Sequence, residues 1–269
     1  MKPTHIISLL SASVLTLTTA HAALVYQGFD DSTYTNNASL DGNGGGAGFS
    51  GNWVQSGSPD VQAKSPGLTY GSLETLGNKV RTRSTTVSRG LASTYLGTDN
   101  SEIYFSLLTA EESGYSGSTA RFQFGSDSDG YRILNTGTNF QFDVRSGGNI
   151  GNSAYVQDLT PSSTSTVLVV GRIIKGTTGN SDSSVQLWVN PSSLGGSAPA
   201  FDFELDNLAT NNFSSISAVG IAGNAGNFFD EIRIGNDFAS VTPIPEPSTL
   251  AAISGALAMG LVVLRRRRG

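Results

Sequence analysis

Between residues 23 and 247 apolar and polar positions alternate one by one in run after run, and no stretch sustains an apolar period of 3.6 residues. Phe140, Phe142 and Val144 share one side of their run, with Gln141 and Asp143 on the other. Ile103, Phe105 and Leu107 repeat the pattern, as do Phe122 with Phe124, and Val185, Leu187 and Val189. A period of two sends successive side chains to opposite faces, so each run predicts a strand with one buried face. Val167–Ile174 is apolar on both faces and predicts a strand at the centre of a sheet. Turn-forming clusters separate the runs, at Ser126–Gly130, Asn135–Gly137, Gly147–Asn149, Gly179–Asn180 and Asn190–Pro191. Many short strands at this spacing predict an all-β sandwich or barrel in one domain.

Two apolar stretches at the ends break this pattern. Lys2 precedes the apolar run Ile6–Leu17, and Ala20-His21-Ala22 follows it. Small residues at 20 and 22 suit signal peptidase, so residues 1–22 read as an export signal cut after Ala22. At the other end, the uncharged stretch Thr249–Leu264 is followed by Arg265, Arg266, Arg267 and Arg268. As a helix those residues would cover roughly 24 Å, a little less than the roughly 30 Å of a hydrocarbon core, unless the arginines snorkel. The arginines favour the cytoplasmic side, which puts the rest of the chain outside.

Pro245, Glu246 and Pro247 directly precede this segment. Prolines at both ends keep the tripeptide extended and poor in donors, a form that fits a protease cleft. The tripeptide, a single apolar helix and a terminal Arg cluster together resemble the PEP-CTERM sorting signal of Gram-negative environmental bacteria. That resemblance implies exosortase as a processing partner, cleavage near residues 245–247, and a membrane helix that serves only until processing. It further implies a place at the cell surface or outside the cell, associated with exopolysaccharide.

A second resemblance spans the domain between the ends. Leu24–Asp30 and Gly44–Trp53 look like the opening of secreted domains found beside such signals in Verrucomicrobia and Planctomycetes. Val167–Lys175, Val185–Pro191 and Phe229–Gly235 resemble the late strands of concanavalin A-like, laminin-G-like jelly rolls. The implied fold is a two-sheet jelly-roll sandwich over residues 23–240, with the sorting signal at 241–269. Fold alone implies no activity.

Composition narrows the chemistry. Both histidines, His5 and His21, lie in the export signal, and cysteine is absent. The remaining domain therefore has no Ser-His-Asp or Cys-His machinery and no zinc or copper site of the usual kind. A calcium site built from carboxylates stays open. Without Lys2 and the four terminal arginines, 11 basic residues face 21 acidic ones, a charge of −10. Such a surface argues against nucleic acid as a partner.

Asp202, Glu204 and Asp206 are the sharpest catalytic candidates. On one strand they would share a face at about 6.5–7 Å between neighbours, near the roughly 6.5–9.5 Å of inverting glycosidases. They support an alternative reading as a glycoside hydrolase or lyase. The competing reading is a solvated strand, with Phe201, Phe203 and Leu205 as its buried face. Asp127 and Asp129 before Gly130 resemble the start of a calcium loop, but position 138 is Thr and completes no EF-hand. Asp230 is expected on the face of Ile232 and Ile234, where it would accept backbone hydrogen bonds from a neighbouring loop or contribute to calcium binding.

Trp53, Trp188, Tyr104, Tyr115 and Tyr155 could include a sugar-stacking platform. Lys79, Arg81, Arg83 and Arg89 are expected on a solvated basic face, with a site for polysaccharide carboxylates as the alternative. The Gly-rich stretch Asn36–Asn52 lacks a phosphate-loop lysine and is expected to pack tightly beside Trp53. The sequence reading is a non-catalytic envelope or matrix protein that binds exopolysaccharide.

Overall fold

The computed structural model describes residues 22–244, apart from 116–118, 126–129, 136–139, 147–148, 157–164, 209–214 and 225. In chain order the strands are β1 (Val25–Gln27), β2 (Phe49–Ser56), β3 (Gln62–Lys64), β4 (Lys79–Arg81) and β5 (Thr85–Tyr95). Next come β6 (Glu102–Glu111), β7 (Ala120–Gly125), β8 (Gly130–Asn135), β9 (Phe140–Ser146) and β10 (Asn149–Val156). The last are β11 (Val167–Ile174), β12 (Ser183–Val189), β13 (Phe203–Leu208), β14 (Ile216–Gly223) and β15 (Asn227–Gly235), followed by one helical turn, α1 (Phe238–Val241).

These strands form two antiparallel sheets. The first runs β13-β12-β11-β6-β15-β4-β3, with β1 also paired to β15. The second runs β10-β9-β8-β7-β14-β5-β2. The alternating runs meet between the sheets: Ile103, Phe105, Leu107, Phe122, Phe124, Phe142, Val185, Leu187 and Val189 all belong to one buried core with Trp53. The side chains of Phe140 and Val144 lie outside the described residues.

β11 lies between β12 and β6, and its first half is covered on both faces. Val167, Val169 and Ile173 enter the main core. Leu168 and Val170 turn outward into a second apolar cluster with Leu68, Leu73, Leu108, Trp188, Phe238 and Val241. This cluster exists because the segment 65–78 and α1 cap part of the outer face of the first sheet. Asp237 starts α1 by accepting from the Ser240 amide at 2.8 Å, a capping box that satisfies an otherwise orphan donor. Val241–Pro243 is tied to the domain: Ser106 donates to the Val241 carbonyl at 2.5 Å, and the Glu74 amide to the Pro243 carbonyl at 2.9 Å.

Two expectations about faces are corrected. Arg89 is not solvated. It is 6% exposed and donates to the carbonyls of Gly45 and Gly51, at 2.7 and 2.9 Å, and to Gln27 Oε1 at 2.9 Å. The Gly-rich loop curls its carbonyls onto this guanidinium, which lies 4.4 Å from the Phe49 ring centre. The close approach needs glycine: a Cβ at Gly46, where φ is +69°, would meet the Tyr26 carbonyl oxygen at 2.5 Å.

Asp230 does not share a face with Ile232 and Ile234. Glu231 adopts φ +52°, and the pairing of β15 with β6 slips between Asp230 and Arg233. The bulge inserts one residue and reverses the alternation. Phe229, Ile232 and Ile234 enter the main core, while Asp230 pairs with Leu108, a residue of the outer cluster.

Residues 245–269 and 1–21, which carry the expected sorting motif, apolar helix, arginine cluster and export signal, lie outside the described residues. Among the described residues no helix is long and apolar enough to cross a membrane.

Candidate functional site

Where the caps end, the outer face of the first sheet carries a row of polar side chains. Tyr104, Arg172, Gln186 and Glu204 are cross-strand partners in succession, on β6, β11, β12 and β13. Their inward neighbours Phe105, Ile173, Leu187, Phe203 and Leu205 bury against the core, so strict alternation aims these four the other way. Three strand spacings make the row about 14 Å wide.

The row is internally bonded. Arg172 donates through Nε to Glu102 Oε2 at 3.0 Å, and its Nη2 bonds the same oxygen. Its Nη1 reaches Gln186 Oε1 at 3.4 Å, and Gln186 Nε2 donates to Glu204 Oε1 at 2.8 Å. The Arg172 guanidinium sits 5.5 Å from the centre of the Tyr104 ring, which in turn stacks on Trp188 at 6.4 Å and 24°. Burial pushes the Tyr104 phenol above its ordinary pKa, and Arg172 pulls it partly back. Glu102 and Glu204, toward the β6 and β13 ends of the row, remain accessible to solvent.

Trp188 lies under α1, 2% exposed, with Phe238 edge-on at 5.5 Å and its Nε1 donating to the Pro199 carbonyl at 2.9 Å. It is a packing residue of the outer layer. Phe201, expected to be buried, is 42% exposed and stands edge-on to Trp188 at 6.5 Å, because it precedes β13. Trp53 is wholly buried. Tyr115 is 40% exposed and lies under the Arg81 guanidinium at 5.5 Å, while the side chain of Tyr155 lies outside the described residues.

The three candidate acids separate. Asp202 also precedes β13, and its carboxylate accepts the Val189 amide at 2.7 Å. Glu204 joins the row. Asp206 is exposed, beside a distortion at Asn207, where φ is +54°. Asp127 and Asp129 lie outside the described residues; the flanking strands β7 and β8 pair in register down to Gly125 with Gly130.

Asp230 holds a neighbouring loop through backbone bonds. It accepts the Leu68 amide at 2.7 Å and the Glu231 amide at 2.8 Å. The next residues tighten the same loop: Glu231 accepts the Leu76 amide at 2.5 Å and pairs with Arg233 at 2.6 Å, and Arg233 donates to the Glu74 carbonyl at 2.5 Å. Burial pushes the Asp230 carboxyl well above its usual range, helped by the neighbouring Glu231 charge. Burial also raises Glu231, with Arg233 opposing. This cluster is a clamp on the segment 65–78. Among the described residues no group of three His, Cys, Asp or Glu side chains is arranged to hold a metal ion.

The row was not read from the sequence. Its signal was present in the polar members of β6, β11 and β12, but which strands are neighbours follows only from the topology.

No family model and no curated protein matches the chain. Among solved structures, it is similar to the receptor-binding domain of the botulinum neurotoxin C/D mosaic serotype, at 9% identity and a TM-score of 0.52. That match covers 82% of this chain and 49% of the toxin domain, so the chain spans about half the toxin domain's length. It is also similar to an endo-β-1,4-glucuronan lyase from the fungus Trichoderma reesei, at 14% identity and a TM-score of 0.49, covering 77% of this chain and 97% of the lyase. At such identities the toxin-domain likeness is one of fold alone, and with the sheet order above it makes this chain a β-sandwich of jelly-roll-like architecture.

Proposed function

We propose that the protein is an exported, non-catalytic component of the cell envelope or extracellular matrix, and that its sandwich binds exopolysaccharide on the outer face of the first sheet. The carrying observation is the row Tyr104-Arg172-Gln186-Glu204: hydrogen-bonding groups aligned across four strands beside an aromatic ring, with exposed carboxylates toward both ends. Sugar recognition needs such a surface, since sugars offer many hydroxyls and apolar ring faces. The non-catalytic reading is supported by the engagement of Asp202 with the Val189 amide and of Glu204 with Gln186, which leaves the candidate acids without a common focus.

Export rests on the sequence of residues 1–22, and delivery by signal peptidase and exosortase on the resemblance of residues 245–268. Calcium is proposed for neither function. The test is to incubate the full-length protein with a panel of polysaccharides and measure both retention and chain length of the glycan. Retention with unchanged chain length supports the proposal. Depolymerisation that disappears in Glu204→Gln overturns it in favour of the hydrolase or lyase reading. Mass spectrometry of the protein from hosts with and without exosortase checks delivery, with a C-terminus near Pro247 expected only when the enzyme is present.

A further inference from the structure

The donors and acceptors of this face narrow the ligand class. Three of the five guanidinium N–H groups of Arg172 are engaged within the row, two with Glu102 and one with Gln186. The Gln186 amide donates to Glu204. Lys175, just past the end of β11, is buried, donates to the Leu96 carbonyl at 3.1 Å and lies 3.8 Å from Asp99. The exposed carboxylates of the face, Glu102 and Glu204, keep free acceptor lone pairs. Two carboxylates stand against one guanidinium on this face, within a domain whose trimmed charge is −10.

An anionic sugar would meet a guanidinium whose charge Glu102 already balances, with the second carboxylate of Glu204 beside it. Like charges on a partly exposed surface repel, and an exchanged ion pair brings no net gain. A sugar hydroxyl or ammonium donates to the free carboxylate lone pairs without breaking the row. We propose, resting on the reading that this face binds polysaccharide, that its ligand is a glycan without carboxylate or sulfate groups, held through hydroxyl or ammonium donors.

Affinity electrophoresis of the processed protein, as released by its host without Arg265–Arg268, in gels containing soluble β-glucan, chitosan or alginate separates the outcomes. Retardation by β-glucan or chitosan, with alginate at least tenfold weaker, is expected, and these two arms tell hydroxyl from ammonium recognition. Glu102→Gln with Glu204→Gln is expected to raise alginate affinity about tenfold at low salt by removing two repelling charges. The gain should fade toward 1 M salt, where the screening length falls to about 3 Å. Both residues are accessible to solvent, and a matching melting temperature verifies folding; the single variant Glu204→Gln repeats the test if the pair unfolds. Alginate binding equal to or tighter than β-glucan and chitosan overturns the ligand class while leaving the polysaccharide reading intact. Alginate affinity unmoved in the variants likewise overturns the charge argument. No retention by any glycan removes the reading on which the inference rests, and the inference with it.

Discussion

Replacing Arg233 with Met isolates the buried clamp of β15. The Arg233–Glu231 pair spans 2.6 Å, with side chains 3% and 0% exposed, and the guanidinium also holds the Glu74 carbonyl and covers the Tyr26 ring at 4.9 Å. Removing one partner of a buried pair leaves an uncompensated charge and costs about 3–5 kcal/mol. At about 2–4 °C per kcal/mol for a domain of this size, the midpoint should fall by about 6–20 °C. Glu231 has an escape, because burial already raises its pKa and the loss of Arg233 raises it further. Protonation removes the stranded charge, so the loss should be smaller at pH 5 than at pH 8. Adding Glu231→Gln to the Met variant should restore most of the loss at pH 8. Denaturant unfolding of the full-length protein at both pH values measures this. A loss below about 1 kcal/mol at pH 8, or equal losses at both pH values, would refute the clamp as the source of the energy.

In the unaltered protein, Asp230 and Glu231 both bind protons more tightly when folded than when unfolded. Their contribution to stability is thus complete below the unfolded carboxylate pKa of about 4 and is lost as pH rises through the raised folded values. Melting curves from pH 4 to pH 8 should show this fall, and Asp230→Asn should flatten it. Trp188→Ala empties the centre of the outer cluster and should cost about 3–5 kcal/mol by equilibrium unfolding. Gly171→Ala would put a methyl 2.1 Å from the Phe105 ring on the core side of β11, and overpacking there should lower stability by about 1–3 kcal/mol in the same assay.

Strands and core were legible because period-two alternation is a local property: Phe105, Phe122, Phe124 and Leu187 enter the core their runs predicted. The centrality of β11 was legible for the same reason, since an all-apolar run needs cover on both faces. Asp230 was misassigned in face because the bulge at Glu231 has no glycine to announce it; the conformation is set by the clamp, which is a long-range interaction. Arg89 was misassigned because a charge is expected at the surface, whereas here loop carbonyls far along the chain surround it. α1 escaped notice because four residues cannot display a helical period, although Asp237 and Ser240 were spaced as a capping box. Of the candidate site, only Glu204 and Tyr104 were singled out beforehand. Arg172 and Gln186 look like ordinary solvent-facing residues until β11 and β12 are set side by side.

The most direct measurement is calorimetric titration of a neutral soluble β-glucan into the full-length protein and into a Gln186→Ala, Glu204→Ala variant whose melting temperature is unchanged. Binding by the unaltered protein that weakens at least tenfold in the variant is the predicted result. Equal affinity in the two proteins would contradict the placement of the site on this face.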